Sequence, residues 1–172
     1  GGYTHANIWY VCCKWDNTIG VDFTSSYPAV MLQKYFPMTP FTPCECACDG
    51  KQITDTKLKE KCMIITADID NIERKTYHAI ESQHKLIKYR NAKFDNGRLY
   101  TAEKIRVCLT ELDYEIYEKF YKWDKITIVE SHCAERGKLP NYVLKPLKHY
   151  YTMKNKLKKE GKDNTIEYKN AK

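Results

Sequence analysis

A short apolar stretch that ends on a single acid and runs directly into a polar turn and a proline leaves the backbone few choices. In Gly20-Val21-Asp22-Phe23-Thr24-Ser25-Ser26-Tyr27-Pro28, Val21 and Phe23 alternate about Asp22 as in an extended strand. Pro28 suits the first turn of the helix implied by Ala29-Val30-Met31-Leu32-Gln33-Lys34-Tyr35. A strand–turn–helix junction is therefore expected. The N–H groups of Ser25, Ser26 and Tyr27 would stand free at the helix N-terminus, where they attract phosphate, with the Asp22 carboxylate beside them to hold a metal ion.

Punctuation organises the rest of the chain. Residues 3–13 are rich in β-formers and predict a strand, followed by a turn at Asp16-Asn17-Thr18 and a short strand ending at Asp22. Pro37, Pro40 and Pro43 break the helix after the junction. Residues 61–72 and 104–109 predict two strands around a polar middle that carries the hairpin signal Asp95-Asn96-Gly97. Thr110 with Asp113 predicts a capping box, opening a helix whose apolar stripe is Leu112, Ile116 and Phe120, continued by Trp123. Residues 125–130 predict a returning strand and 141–159 a basic helix. The expected class is α/β in the α+β sense: an outer unit from residues 1–36 and 140–172, interrupted by an inserted α+β unit over 37–139.

The 172 residues suffice for one or two small domains with real cores. No apolar run approaches the ~20 residues needed to span a bilayer, and no charged-then-apolar leader is present, which predicts a soluble, cytoplasmic protein with no membrane partner. The eight cysteines are irregularly spaced and are expected to be reduced thiols. Formal charge is +7, and residues 145–172 hold nine lysines against three acids, so nearly all the excess lies there. Lysines interleaved with Tyr150, Tyr151 and Tyr168 suit a surface that follows nucleic-acid phosphates; the alternative is a solvated lysine face.

Other clusters carry less. Cys44-Glu45-Cys46-Ala47-Cys48 has single-residue gaps where structural zinc uses wider ones, so these thiols are expected half-buried on a strand; a small zinc protein completed by Cys62 or His132-Cys133 is the minor alternative. Asp68-Ile69-Asp70 is expected to place both acids on a solvated face. Gly50-Lys51 and Gly161-Lys162 lack the remainder of a phosphate loop, and His5, His78, His84 and His149 show no ligand spacing.

The first junction resembles motif A of family B DNA polymerases, D-x-x-S-L-Y-P, and its surroundings resemble the protein-primed branch of bacteriophages and linear plasmids. Gly1-Gly2-Tyr3-Thr4 is similar to the end of that branch's Y-x-G-G motif. Thr110-Glu111-Leu112-Asp113-Tyr114-Glu115 resembles its strand-to-helix junction between motifs A and B, and Lys169-Asn170-Ala171-Lys172 resembles the run-in to motif B, K-x-x-x-N-S-x-Y-G. The resemblance follows the family's order along the whole chain, most weakly over 37–98. It implies a piece of a DNA-directed DNA polymerase, inactive alone, made of part of the palm, the start of the fingers and an inserted first terminal-protein region. The exonuclease domain and motif C, with its second metal-binding carboxylate, would lie outside the piece.

The resemblance also implies roles. Asp22 is the catalytic carboxylate shared by two magnesium or manganese ions, and the Phe23 carbonyl faces one of them. Tyr27 is the ring beneath the sugar that excludes a 2′-hydroxyl, the alternative being a ring that caps a core. Ser25 and Ser26 contact the nucleotide, Ser25 also template or priming protein, although Ser26 replaces the usual leucine. Lys154 and Lys172 grip the triphosphate. Gly1 and Gly2 let DNA backbone approach, and Lys148, Lys156, Lys158 and Lys159 contact DNA. The implied partners are primer–template DNA, a deoxynucleoside triphosphate and the terminal protein, in a bacterial host cytoplasm. A non-catalytic nucleic-acid or priming-protein binding module is the other reading.

Overall fold

The computed structural model describes residues 12–20, 26–76 and 80–171. The chain divides into two compact units, the first made of 12–17 with Thr39–Glu135, the second of the described parts of Thr18–Met38 and Arg136–Lys172. In chain order the elements are α1 (Ser26–Gln33), β1 (Phe36–Pro37), β2 (Thr42–Pro43), α2 (Lys57–Glu60), β3 (Lys61–Arg74), a 3-10 turn (Gln83–Lys85), β4 (Leu86–Arg90), β5 (Lys93–Asp95), β6 (Arg98–Thr110), α3 (Glu111–Phe120), β7 (Tyr121–Lys122), β8 (Lys125–Gly137), α4 (Asn141–Lys159) and α5 (Ile166–Asn170). The α+β class expected from the sequence is the class found.

The first unit is built on β3, which pairs antiparallel with β6 on one side and β8 on the other. β4 and β5 both pair with β6, β7 with the end of β3, and β2 with β8. Both long strands expected in this region extend further than their apolar runs: β6 begins at Arg98 and β8 continues to Gly137. β8 continues because Ser131 to Glu135 pair with Ile65 to Lys61 of β3. For β6 the reason is the two-residue turn Asn96-Gly97, whose φ values of +47° and +72° fit a hairpin twist and set Asp95 opposite Arg98. Ladder pairing from there carries polar residues into the strand.

Period-two alternation on β3 buries Met63, Ile65, Ala67 and Ile69, then shifts phase to bury Ile72. The shift falls at Asn71, whose φ is +52° and whose amide donates to Asp124 Oδ2 at 2.8 Å. Leu99, Ala102, Ile105, Val107 and Leu109 of β6 and Ile126 of β8 complete the sheet's share of the core. The helix side is supplied by tyrosines.

The capping box at Thr110 and Asp113 is present, each side chain hydrogen-bonding the other residue's backbone N–H. The stripe is corrected in part: Phe120 and Trp123 pack half-buried against the core, but Leu112 and Ile116 are 54% and 41% exposed, while Tyr114, Tyr117 and then Tyr121 are buried. The two stripes share the helical period, and the tyrosines win because each hydroxyl finds a partner inside. Tyr114 Oη accepts from Ile53 N–H at 2.9 Å, Tyr117 Oη donates to Glu81 at 2.7 Å, and Tyr121 Oη donates to the Leu99 carbonyl at 2.9 Å. Glu111, also buried, accepts Met63 N–H at 2.7 Å.

In the second unit α1 packs on α4 and α4 on α5, and β1 pairs with Arg136 and Gly137 at the end of β8. Pro37 and Pro43 sit in two-residue strands at sheet margins, where a missing N–H costs little. The basic helix has the bounds read from the sequence, starting after Pro140 and tolerating Pro146, which removes one backbone donor. Among the described residues of this unit only Ala171 is buried. No helix among the described residues is long and apolar enough to cross a membrane. Residues 12 and 13 are not in a strand, and the rest of the strands expected over 3–13 and up to Asp22 lies outside the described residues.

Candidate nucleotide and nucleic-acid site

Of the junction that opens the sequence reading, the described part is α1 from Ser26. Ser26 and Tyr27 occupy its first turn, where backbone N–H groups have no acceptor within the helix, and Pro28, third in the helix, has no N–H to lose. Tyr27 is 84% exposed, so its ring does not cap a core among the described residues. It is a rigid aromatic surface beside two backbone donors, chemistry suited to a sugar and its phosphate. Asp22, Phe23, Ser25, Gly1, Gly2 and Lys172 lie outside the described residues.

The lysines expected to meet phosphate sit on α4. Lys154 is half-buried, on the side of the helix that carries the half-buried Val143, Leu147, Tyr151 and Leu157; Lys148, Lys156, Lys158 and Lys159 are exposed. Glu160 restrains the end of the helix, 4.0 Å from Lys156 Nζ and 2.8 Å from Lys162 Nζ, and these cations hold its carboxyl below the usual range. α5 is opened by Thr165, whose Oγ1 accepts Tyr168 N–H at 3.3 Å. Before α4, the Arg136 guanidinium and the Lys138 ammonium stand 5.3 Å and 5.6 Å from the centroid of the Tyr35 ring.

In the first unit Asp68 and Asp70 are on the sheet face opposite Ile69, but Asp68 is not solvated. Arg106 grips it through two bonds of 2.6 Å and 2.8 Å, Lys104 lies 3.4 Å away, and its side chain is 14% exposed. The guanidinium holds the Asp68 carboxyl below the ordinary aspartate range. Lys104 also reaches Asp70 at 3.6 Å, so cations from β6 occupy the space between the acids. Arg90 beside them pairs with Glu103.

Cys44, Cys46, Cys48 and Cys133 are half-buried against the core, though 44–48 form an irregular segment rather than the expected strand, with only Cys48 bridging to Ile53. Their solvent-excluded setting and the neighbouring Asp55 and thiols push Cys46 up to about 11, and burial with Cys133 nearby raises Cys44. All eight cysteines that the structure records are free. Among the described residues no three His, Cys, Asp or Glu side chains converge as metal ligands would.

No protein-family model matches the sequence, and no curated protein matches it. Solved structures do. Phi29 DNA polymerase in an orthorhombic crystal form aligns over 78% of this chain and 22% of its own, with a TM-score of 0.57 and 18% identity. Phi29 DNA polymerase complexed with primer–template DNA aligns over 75% of this chain and 20% of its own, with a TM-score of 0.49 and 14% identity. The chain thus spans about a fifth of the length of the structures it matches, and at such identity the first likeness is one of fold.

Proposed function

We propose that the chain is part of a DNA-directed DNA polymerase of the protein-primed family B type, carrying part of its nucleotide and metal site. What supports this most is a coincidence of two independent lines: a motif order that resembles that branch, and a fold likeness that extends over 78% of the chain. The second unit adds support, because its described residues bury one side chain, Ala171, and leave Val30, Tyr35, Met38, Tyr142 and Ile166 exposed, which suits a part that packs within a larger body.

The reaction is transfer of a nucleotidyl group to a primer hydroxyl, or to a protein hydroxyl when synthesis starts on the terminal protein. Two magnesium or manganese ions, when bound, would polarise the attacking and leaving oxygens. Asp22 supplies one carboxylate and Phe23 a carbonyl, too few for two ions, and among the described residues no group of ligands makes up the difference. The described residues do not by themselves hold the pair. In this reading the first-turn N–H groups of Ser26 and Tyr27 bind phosphate, the exposed Tyr27 ring lies under the sugar and excludes a 2′-hydroxyl, and Lys154 and Lys172 offset triphosphate charge. The first unit is then the terminal-protein region.

The test is template-directed synthesis by the polymerase that carries this chain, as wild type, Asp22→Ala and Tyr27→Val, supplied with deoxy- or ribonucleotides. Abolished synthesis in the first variant and gained ribonucleotide use in the second are expected. Synthesis that survives Asp22→Ala would sink the catalytic reading and leave a binding module.

A further inference from the structure

Cys44, Cys46, Cys48 and Cys133 sit against one core, and strand register decides which two of these thiols can meet. β2 and β8 pair with Thr42 opposite Cys133 and Pro43 opposite His132, and the Cys44 N–H continues the ladder to the Ser131 carbonyl at 3.0 Å. Cys44 and Cys133 are therefore diagonal neighbours across two antiparallel strands. Both are half-buried, and the Cys44 thiol lies within hydrogen-bonding reach of the Cys133 thiol and of Ser131. The other cysteines of this sheet are placed elsewhere. Cys48 Sγ donates to the Ile126 carbonyl and accepts from the Gly50 N–H, each at 3.4 Å. Cys133 is paired with Met63, and Cys62, one residue before Met63, alternates to the other face of β3. Cys108 is exposed between the buried Val107 and Leu109. Burial, Asp55 and the flanking thiols push Cys46 up to about 11.

We propose that Cys44 and Cys133 are a reversible dithiol–disulfide pair, oxidised by exchange with small-molecule disulfides. Cys44 lines an open groove of ≈ 520 Å³ together with Asp55, Lys57 and Val129, so the reagent reaches Cys44 first. Lys57 is stationed there, its Nζ 2.9 Å from the Glu45 carbonyl and 3.5 Å from Asp55 Oδ2. Burial and the Cys133 thiol raise the Cys44 pKa against the opposing pull of Ser131 and Lys57, so at neutral pH the pair rests as thiols and exchange is slow. The Cys44 thiolate attacks one sulfur of the incoming disulfide, which forms a mixed disulfide and releases one small thiol. The Cys133 thiolate then attacks Cys44 Sγ, which forms the protein bond and releases the second. Two electrons and two protons have passed from the pair to the reagent. Diagonal partners in an antiparallel pair lie ~7–8 Å apart at Cα, beyond the ~4.4–6.8 Å usual for a disulfide, so closure draws the segment after β2 towards β8. A bond made under such strain is readily reduced again, the character of a switch rather than of a permanent staple. The ring it closes, from 44 to 133, takes in most of the span Thr39–Glu135 of the first unit.

The experiment holds the full-length protein that carries this chain in mixtures of oxidised and reduced glutathione, traps the remaining thiols with N-ethylmaleimide at acid pH, and maps the digest by mass spectrometry. Oxidising mixtures are expected to yield a peptide pair joined through Cys44 and Cys133, lighter by two hydrogens than the separate thiol peptides, and excess reduced glutathione to reopen it. Its rate of formation should rise about tenfold per pH unit between about pH 7 and 8, as the thiolate fraction does below the pKa. Cys133→Ser should stop at the mixed disulfide of Cys44 with glutathione. Recovery of Cys44 and Cys133 as separate peptides, a bond from Cys44 to Cys46 or Cys48 in its place, a rate indifferent to pH, or a bond that excess reduced glutathione does not open each overturns the proposal. Its failure is separable from that of the polymerase reading, which turns on Asp22 and synthesis rather than on these thiols.

Discussion

Tyr117 Oη donates to Glu81 Oε2 at 2.7 Å where both side chains are buried. The same acid accepts Ser82 N–H through Oε1 at 2.7 Å, and Tyr121 Oη accepts from the N–H groups of Ile80 and Glu81 at 3.2 Å and 3.1 Å. The end of α3 thereby fixes the approach to the 3-10 turn and β4. Removing the Tyr117 hydroxyl leaves a buried carboxyl short of a donor, and Tyr117→Phe is expected to cost ~1–3 kcal/mol in chemical denaturation. A variant as stable as wild type would mean that the bond does not hold the segment.

Stability should fall as pH rises above the ordinary glutamate range. Burial raises the Glu81 pKa above 4.5, with the Tyr117 hydrogen bond opposing it, so the folded state binds this proton more tightly than the unfolded chain. Its contribution is fully present below 4.5 and is lost as pH climbs from there through the folded value, after which the loss is constant. Glu81→Gln should flatten that segment of the stability–pH curve, measured by urea midpoints. An equal decline in the variant would assign it to another group.

Asp68 should act in the opposite direction and in a lower window. Arg106 holds its carboxyl below 3.8, so the pair stabilises the fold above that value and its contribution disappears as pH falls through the folded value. Asp68→Asn is expected to soften the acid limb of unfolding below 3.8 and leave the Glu81 segment unchanged. A full acid limb in that variant would show that the Arg106 pair is not its source.

Elements whose apolar spacing and boundary residues agree are legible in this sequence. α4 has the bounds expected because Pro140 opens it and Val143, Leu147, Tyr151 and Leu157 keep one side, and the capping box forms because Thr110 and Asp113 need only each other. α3's buried face is not legible by hydropathy, since Tyr114 and Tyr117 are preferred inside only when Ile53 and Glu81, far away in sequence, come to their hydroxyls. Asp68 misleads for a similar reason: its partner Arg106 is reached only through the β3–β6 register.

Within the candidate site, Tyr27 and Lys154 are named by motif, but their surroundings are set by packing that the motif does not contain. Half-burial on the side of α4 that carries Val143, Leu147, Tyr151 and Leu157 separates Lys154 from the exposed lysines that crowd after it, a difference that a total of charges over 145–172 conceals.

That separation yields a prediction specific to the nucleotide. Lys154 is half-buried on the packed side of α4, so its stem is more confined than those of the exposed lysines of the same helix. An ammonium on a confined stem can place a charge-assisted hydrogen bond on a triphosphate, worth ~1.5–3 kcal/mol. In the polymerase that carries this chain, Lys154→Ala is expected to raise the nucleotide KM by about tenfold or more while the affinity for primer–template stays within about twofold. Lys154→Arg should recover part of the loss, because a guanidinium keeps the charge at that place. If the KM is unchanged and only thermal stability drops, the ammonium serves packing, and the triphosphate must be gripped from elsewhere.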